Sequence, residues 1–527
     1  SLIIMKGMDR VAEPDTPALD ASNHPDWMRS PRANLAAWIL LAVIFAVGLA
    51  VRLYDLNAPP VDFHPTRQLH SALIARGMYY EHNPAVPAWQ RQMAVNQWQT
   101  EGVIEPQVFE RLVAGTYSLL GRVDLRAPRL YAILLWMVGA VFLAWLAFDL
   151  TGWGGALVAS LFFLIWPYGV TASRAFLPEP LMIALMVAAL WAALRWQRRG
   201  GWGWALAAGL LAGLSIYIKA VALFFLLPAL AVLILTRSPL RRALRDPQLW
   251  ALGGLALIPY AAYTVDGLYL HGYLVGQLSL RFFPDLWLDP AFYLRWISNL
   301  SRVLPFEMLL AALAGTFLVR RPAWRWALLA MWAGYFAYGM ALSHHISTHD
   351  YYHLPLLPVI ALGLGAVAQA VFQSFRGPAW INRLAAAAII LAALVVNGYA
   401  ARTAIKRSGA EAQSKVWETV GQVIKPGSSV VALVQDYGGG LRYYAWVNPI
   451  IWPTSSDIQF RQSVGQDETF NQLFQSHAAG RDYFVVSPLD ELTSQPQLQQ
   501  VLDAHYAVLR QGPGYRIYDL RVSKPSP

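Results

Sequence analysis

Cysteine is absent from the 527 residues, which excludes disulfide scaffolds, thiol nucleophiles, cysteine-ligated zinc and iron–sulfur clusters. Charge is scarce as well: Asp, Glu, Lys and Arg make up 14% of the chain, where a soluble domain carries about a quarter. No P-loop or dinucleotide fingerprint occurs, and there is no internal repeat or low-complexity tract. What fills the chain instead is apolar, with 56% hydrophobic residues and a mean hydropathy of +0.38. Repeated long apolar runs identify a polytopic membrane protein. The formal charge of +10 would suggest nucleic acid in a soluble protein. Here the basic residues sit in short connectors, a distribution that orients a membrane protein, and no nucleic-acid partner is expected.

The first apolar run, Leu35–Val51, reads as a retained span preceded by a cytoplasmic segment, residues 1–33. Further spans are expected at Arg129–Phe148, Gly155–Thr171, Leu181–Leu194, Trp202–Ile218, Ala220–Leu235, Leu249–Val265, Leu304–Val319, Trp326–Leu342, Leu354–Phe372 and Leu384–Ala400, about eleven in all. Connectors rich in arginine (Arg195/Arg198/Arg199, Arg237/Arg241/Arg242/Arg245, Arg320/Arg321/Arg325, Arg376/Arg383) alternate with connectors poor in it. The positive-inside rule then places the N-terminus in the cytoplasm and everything after Ala400 outside a bacterial-type plasma membrane. The fold class expected is a polytopic α-helical membrane protein, with a transmembrane domain over residues 34–400 and an extracytoplasmic α/β domain over 401–527.

On the outer side, Thr66–Tyr80 and Val108–Leu120 carry apolar residues at helical spacing and read as interfacial helices. Past Ala400 the expected elements are helix Val416–Ile424, strands Ser429–Val434 and Tyr483–Val486, helix Pro496–His505 and strand Tyr515–Leu520. The run Asp436-Tyr-Gly-Gly-Gly at a strand end reads either as a cradle for a phosphate or sugar or as a flexible turn.

Asp62 stands soon after the first span, between prolines and an interfacial helix, where a carboxylate could deprotonate a hydroxyl nucleophile. Its plainer reading is a pair with Arg67 or a helix cap. His64, Arg67 and His70 would supply nearby positive charge. Glu105 reads as a second acid or as a favourable charge at a helix N-terminus, and the latter reading is preferred for Glu101. Arg174 and Glu179 lie in Ser173-Arg-Ala-Phe-Leu-Pro-Glu-Pro180 between two spans, where a charged pair is expensive unless it lines a polar cavity. Lys219 interrupts an apolar stretch and either holds a lipid phosphate or snorkels to the headgroups. The cluster Ser343–Pro355 offers His345, His349, Asp350 and Tyr351 as substrate or phosphate contacts; its spacing matches no helical zinc motif, and an aromatic belt is the alternative.

In their order along the chain, Asp62, the long first outer loop, Arg174…Leu177-Pro178-Glu179-Pro180, Lys219 and Asp350-Tyr351-Tyr352-His353-Leu354-Pro355 resemble the GT-C superfamily of polyprenyl-phosphate-sugar-dependent glycosyltransferases, in the protein O-mannosyltransferase and lipid A aminoarabinose transferase branch. The resemblance covers about Leu35 to Ala400, and Gln435-Asp436-Tyr437-Gly438…Trp452-Pro453 is similar to the outer domain of some bacterial members. It implies a GT-C-like fold and inverting transfer of a sugar from a polyprenyl-phosphate donor in the bilayer to an acceptor hydroxyl on a protein, glycan or lipid at the outer face. Under it Asp62 is the base, Glu105 and Glu179 are auxiliary or positioning acids, and His64, Arg67, Arg174, Lys219, His345, His349, Asp350 and Tyr351 contact substrate. The family often has two adjacent acids in the first loop where this chain has Asp62-Phe63-His64; no cofactor is firmly implied, and a divalent cation stays open. The competing readings are a flippase for a lipid-linked saccharide, which would favour midplane charges and repeated halves, and a non-catalytic assembly subunit.

Overall fold

The computed structural model describes residues 31–276, 282–406, 409–463 and 468–523; the expected cytoplasmic segment lies outside them up to residue 30. Its first helix, α1 (Pro31–Leu53), is followed by three helices of the first loop: α2 (Pro65–Glu81), α3 (Ala88–Thr100) and α4 (Val108–Leu120). Then come α5 (Arg126–Thr151), α6 (Trp153–Ile165), the short α7 (Pro167–Ala172), α8 (Glu179–Arg199), α9 (Trp202–Ile218) and α10 (Leu223–Arg237). Further apolar helices follow at Pro247–Val265, Phe306–Phe317, Pro322–Ala341, Leu357–Ser374 and Ala379–Lys406.

Every expected span contains a helix, but among the described residues six are long and apolar enough to cross a membrane, or seven if the pair Pro290–Val303 and Phe306–Phe317, bent by 89°, is one span. Two of the expected spans fall short for local reasons. The run expected as one helix over Gly155–Thr171 is split because Pro167 removes a backbone donor and holds Trp166 extended (φ −57°, ψ 126°). Likewise, Leu304–Val319 begins on extended backbone at Leu304 and Pro305, which leaves a helix of only 12 residues. The first-loop helices stand where expected, but α3 was not foreseen, and α2 is buried on almost every side instead of lying half-exposed on a surface. Its residues Leu69, Leu73, Ile74 and Met78 share a core with Phe109, Val113 and Tyr117 of α4.

After Ala410–Val423, a five-stranded sheet runs in the order β2-β1-β3-β5-β4. β1 (Val430–Val434) pairs parallel with β2 (Ile450–Ile451) and β3 (Tyr483–Ser487); β5 (Tyr515–Ser523) is antiparallel to β3 and forms a hairpin with β4 (Tyr506–Gly512). Successive side chains point to opposite faces of a strand. Val430, Ala432, Val434, Tyr483 and Val485 therefore share one cluster with α2, α4 and Phe176, whereas Val431, Leu433, Phe484 and Val486 pack under helices carrying Leu473, Leu492, Leu498 and Leu502. One face of the sheet is thus part of the same core as the first loop.

Small residues set the helix crossings in the apolar bundle, as expected where lipid gives helices no hydrophobic reason to associate. A Cβ on Gly315 would lie 2.0 Å from the Gly363 carbonyl oxygen, and one on Gly363 would lie 2.1 Å from that of Ala312. A Gly363→Val variant is expected to lose about 1–3 kcal/mol or more through this backbone clash, read as a lowered unfolding midpoint of the detergent-solubilised protein. Gly253→Ala, where a Cβ meets nothing within 4 Å, is expected to leave that midpoint unchanged.

Candidate active site

The loop after α1 is held by three buried arginines. Arg52 donates to the Gly48 and Leu164 carbonyls and, from Nε, to Ser173 Oγ at 2.7 Å. Arg129, at the start of α5, donates to Asp62 Oδ2 at 2.7 Å and to the Ala58 carbonyl at 2.9 Å. Arg174 donates to the Asp55 carbonyl at 2.8 Å, while its Nε and Nη1 are buried without a hydrogen-bond partner. Burial and the charge of Arg129 push the Arg174 guanidinium down to about 10, against the pull of Asp62 and Asp55, so it stays a cation at neutral pH. Asp62 therefore pairs with Arg129 and not, as the loop spacing suggested, with Arg67.

Gln68 ties this loop to α2: its amide donates to Asp62 Oδ1 at 3.1 Å and to the Phe63 carbonyl at 2.6 Å, and its oxygen accepts from the Phe176 N–H at 3.0 Å. Pro65 at the first turn presets the helix. The residue before it, His64, has left-handed backbone (φ 46°) that no side-chain cap relieves, a strain of the kind found at functional sites. Its Nε2 meets Asp350 Oδ1 at 2.7 Å, and that same oxygen accepts from the Tyr168 hydroxyl at 2.8 Å.

One residue along α2, Arg67 donates to Glu105 Oε2 at 2.7 Å. The other oxygen of Glu105 stands 3.4 Å from Lys219 Nζ, which also pairs with Glu179. Lys219 lies on extended backbone between α9 and α10 (φ −154°, ψ 118°), the break that aims it inward. It is 6% exposed, which overturns the snorkelling alternative. Its ammonium is 5.3 Å from the ring centres of both Tyr351 and Tyr352. Tyr351 in turn packs on His64 at 4.5 Å, and His345 and His349 stack at 5.9 Å with His349 against Tyr351.

The eleven residues to which the resemblance gives a role thus fall in one connected region, with Asp62 and Arg174 joined to the rest through Gln68 and α2. Five contributors gave no sequence signal: Arg129, Gln68, Arg52, Tyr168 and Thr66. Arg129 reads as an ordinary basic flank of an apolar run. Asp436, in left-handed backbone (φ 56°), accepts from Thr66 Oγ1 at 2.9 Å; burial raises its carboxyl above the usual range, opposed by that hydrogen bond and by His64. Its glycine run had marked the turn but not its target. Glu101 caps the end of α3 and pairs with His70 at 2.5 Å and with Arg442, so the N-terminal reading does not apply to it.

Residues 105–264 match the family described as dolichyl-phosphate-mannose-protein mannosyltransferase. No curated protein matches the chain in sequence. In fold it is similar to ArnT from Cupriavidus metallidurans bound to undecaprenyl phosphate, with a TM-score of 0.57 and 15% identity over 92% of this chain and 98% of that one. It is also similar to the archaeal oligosaccharyltransferase AglB from Archaeoglobus fulgidus in complex with an inhibitory peptide and a dolichol-phosphate (TM-score 0.50, 12% identity, 92% and 74% covered). A second form of the Archaeoglobus oligosaccharyltransferase, tethered to an acceptor peptide, gives 0.53 at 12% identity, covering 92% and 73%. The chain shares the fold of these proteins. Its apolar helices make it a multi-pass membrane protein of that fold.

Within this fold the acids of the site are held by cations. Asp62, Glu105 and Glu101 are each engaged by a cationic side chain, and among the described residues no three His, Asp or Glu converge on a metal site. No step below is routed through a metal.

Two expectations follow from the electrostatics. Lys219→Met leaves Glu179, 2% exposed at its side chain, as a buried charge without its cation and is expected to cost about 3–5 kcal/mol; adding Glu179→Gln should restore most of the unfolding midpoint. The second concerns His349, whose ring is pushed down to about 4 by burial, then by His64, His344 and Arg67, with Asp350 opposing. Because the unfolded chain then binds the proton first, stability should fall as pH drops from about 6.5 toward 4. His349→Gln should flatten that slope in melting curves taken across the range.

Proposed function

We propose that the chain is an inverting glycosyltransferase that moves a sugar from a polyprenyl-phosphate-linked donor to an acceptor hydroxyl at the extracytoplasmic face. One observation carries the reading: Glu105 and Glu179, from separate segments, converge with Arg67 and Lys219 in one largely buried region, to which Asp62, with Arg174 near it, is joined through Gln68 and α2. Such transfer needs a carboxylate to accept the proton of the attacking hydroxyl and fixed cations where the departing phosphate gathers negative charge. In this reading Asp62 is the base. Arg129 and Gln68 fix the orientation of its carboxylate, and each of its oxygens keeps further acceptor capacity. Lys219, Arg67 and Arg174 receive the phosphate, Glu105 and Glu179 hold Lys219 in place, and His64, His345, His349, Asp350 and Tyr351 line the sugar side.

The relatives with undecaprenyl phosphate and dolichol-phosphate bound support a lipid-phosphate donor. The alternation of arginine-rich connectors supports an arrangement of about eleven membrane helices, residues 34–400, in a plasma membrane, with residues 401–527 outside as a domain over the site.

Purified protein in lipid, offered a panel of radiolabelled polyprenyl-phosphate sugars and acceptors, should transfer label. Asp62→Asn should lower transfer at least about 100-fold while its unfolding midpoint shows it folded. Movement of a lipid-linked sugar across liposomes with no transfer by the parent protein would replace this reading with a flippase.

A further inference from the structure

A second site lies at the opposite end of α2 from His64. There the exposed Trp89 in the first turn of α3, the turn Tyr444–Trp446 and the helix Ala410–Val423 enclose a cleft of about 340 Å³. Its lining is aromatic and acceptor-rich together: Trp89, Tyr444 and Trp446 with Glu418 and Gln422. Trp89 and Trp446 meet at 71° with ring centres 5.9 Å apart, which leaves a corner of two indoles. Trp446 is held there on left-handed backbone (φ 57°), a conformation that costs free energy in a residue with a side chain.

One polar group at this corner is idle. The Tyr444 hydroxyl is buried with no hydrogen-bond partner, although buried phenols normally find one. Glu418 acts electrostatically on that phenol and is itself exposed. A ligand that meets Glu418 and Gln422 must bring hydroxyl or amide groups alongside an apolar face. The cation of Arg76 already lies 3.9 Å from the Trp446 ring centre, so a second cation on the same indole would meet like charge, and an ammonium ligand is disfavoured. A neutral ring with an apolar C–H face and a rim of hydroxyls meets all these conditions.

We propose that this cleft is a saccharide-binding site, holding part of a glycan acceptor remote from the point of transfer. As an acceptor subsite it rests on the transferase reading above; as a saccharide site it does not. The α2 helix of 17 residues separates the two by about 25 Å at 1.5 Å per residue, so the acceptor would be an oligosaccharide chain and not a single sugar. The strap that forms the cleft also carries Arg442 and Asp436, which bind Glu101 and Thr66 beside the first site, so one segment of chain spans both.

The test is calorimetric titration of the detergent-solubilised full chain with tetrasaccharides of glucose, mannose and N-acetylglucosamine. Saturable binding of at least one is expected, weakened at least tenfold by Trp89→Ala and by Glu418→Gln, both exposed positions whose variants should melt as the parent does. Asp62→Asn should bind the saccharide unchanged, which separates this site from the catalytic reading. Absence of saturable binding across the panel, or binding that neither cleft variant alters, overturns the proposal. Binding retained in a protein that transfers no sugar would sink the transferase reading and leave the saccharide site standing.

Discussion

Lys219, between Glu105 and Glu179, is the contact on which the arrangement of the site depends. A lone charge in a low-dielectric interior is costly enough that it must be neutralised where it stands. The break between α9 and α10 delivers the ammonium, the first residue of α8 delivers one acid, and the loop before α4 delivers the other. Arg67 then fixes α2 to the same acid. Four segments distant in sequence are held together by charges that none could bury alone. The local balance also has a chemical consequence: an anion reaching Lys219 and Arg67 must compete with Glu105, the more exposed of the two acids on Lys219, at 14% against 2%. Affinity for such an anion is set by that exchange and not by bare positive charge.

Strain gathers in two segments of the chain. Among the described residues, the non-glycine positions with left-handed backbone are Asp55, His64, Asp436, Tyr437 and Trp446. Two lie in the loop that carries Asp62, and three in the strap between β1 and β2. Each costs about 1–3 kcal/mol and persists only where surrounding packing over-determines it. At His64 that support is Pro65 and the Asp350 contact; at Trp446 it is Arg76 and Tyr80 of α2. Tyr437 differs, being 74% exposed, and its strain is shared with the adjoining Asp436 and Gly438 (φ 73°).

Local pattern made the elements legible where one short-range force dominates. The apolar runs marked the helices, and Pro496–His505 stands with the bounds its proline and period suggested. Pattern was less informative where two forces compete. Hydrophobicity marks Gly155–Thr171 as one span, yet Pro167 breaks it. β4, a half-exposed strand whose apolar residues Tyr506–Leu509 stand in one run, left no alternation to see. In the site, residues interrupting apolar stretches were legible because burying charge is expensive: Asp62, Arg174, Glu179 and Lys219 all stand in the region described. Their partners were not. Arg129 looks like any basic flank, and Gln68 like any surface residue of a helix, although it is 1% exposed. Pairing is a property of tertiary distance, to which spacing of 67 residues between Asp62 and Arg129 gives no clue.

The sheet shows how a change in composition can differ from a change in packing. After Ala400 the chain reads as an ordinary soluble unit, and the helix Ala379–Lys406 carries it past that point without a break. Yet the alternate residues of β1 and β3 that face the first loop belong to the core of α2 and α4. Arg76 is fully enclosed by Tyr443, Trp446 and Gln97, with its guanidinium donating to the carbonyls of Tyr443 and Arg442. A cation so placed cannot be withdrawn without leaving three aromatic or polar partners unmatched. The strap is therefore as much a part of the floor beneath α2 as of the sheet above it. Any displacement of the sheet would disturb the hydrogen bond of Thr66 to Asp436 and, through α2, the first-turn residues Arg67 and Gln68. The mechanical link between the sheet and the Asp62 carboxylate runs through one helix of 17 residues, whose two ends carry the two sites.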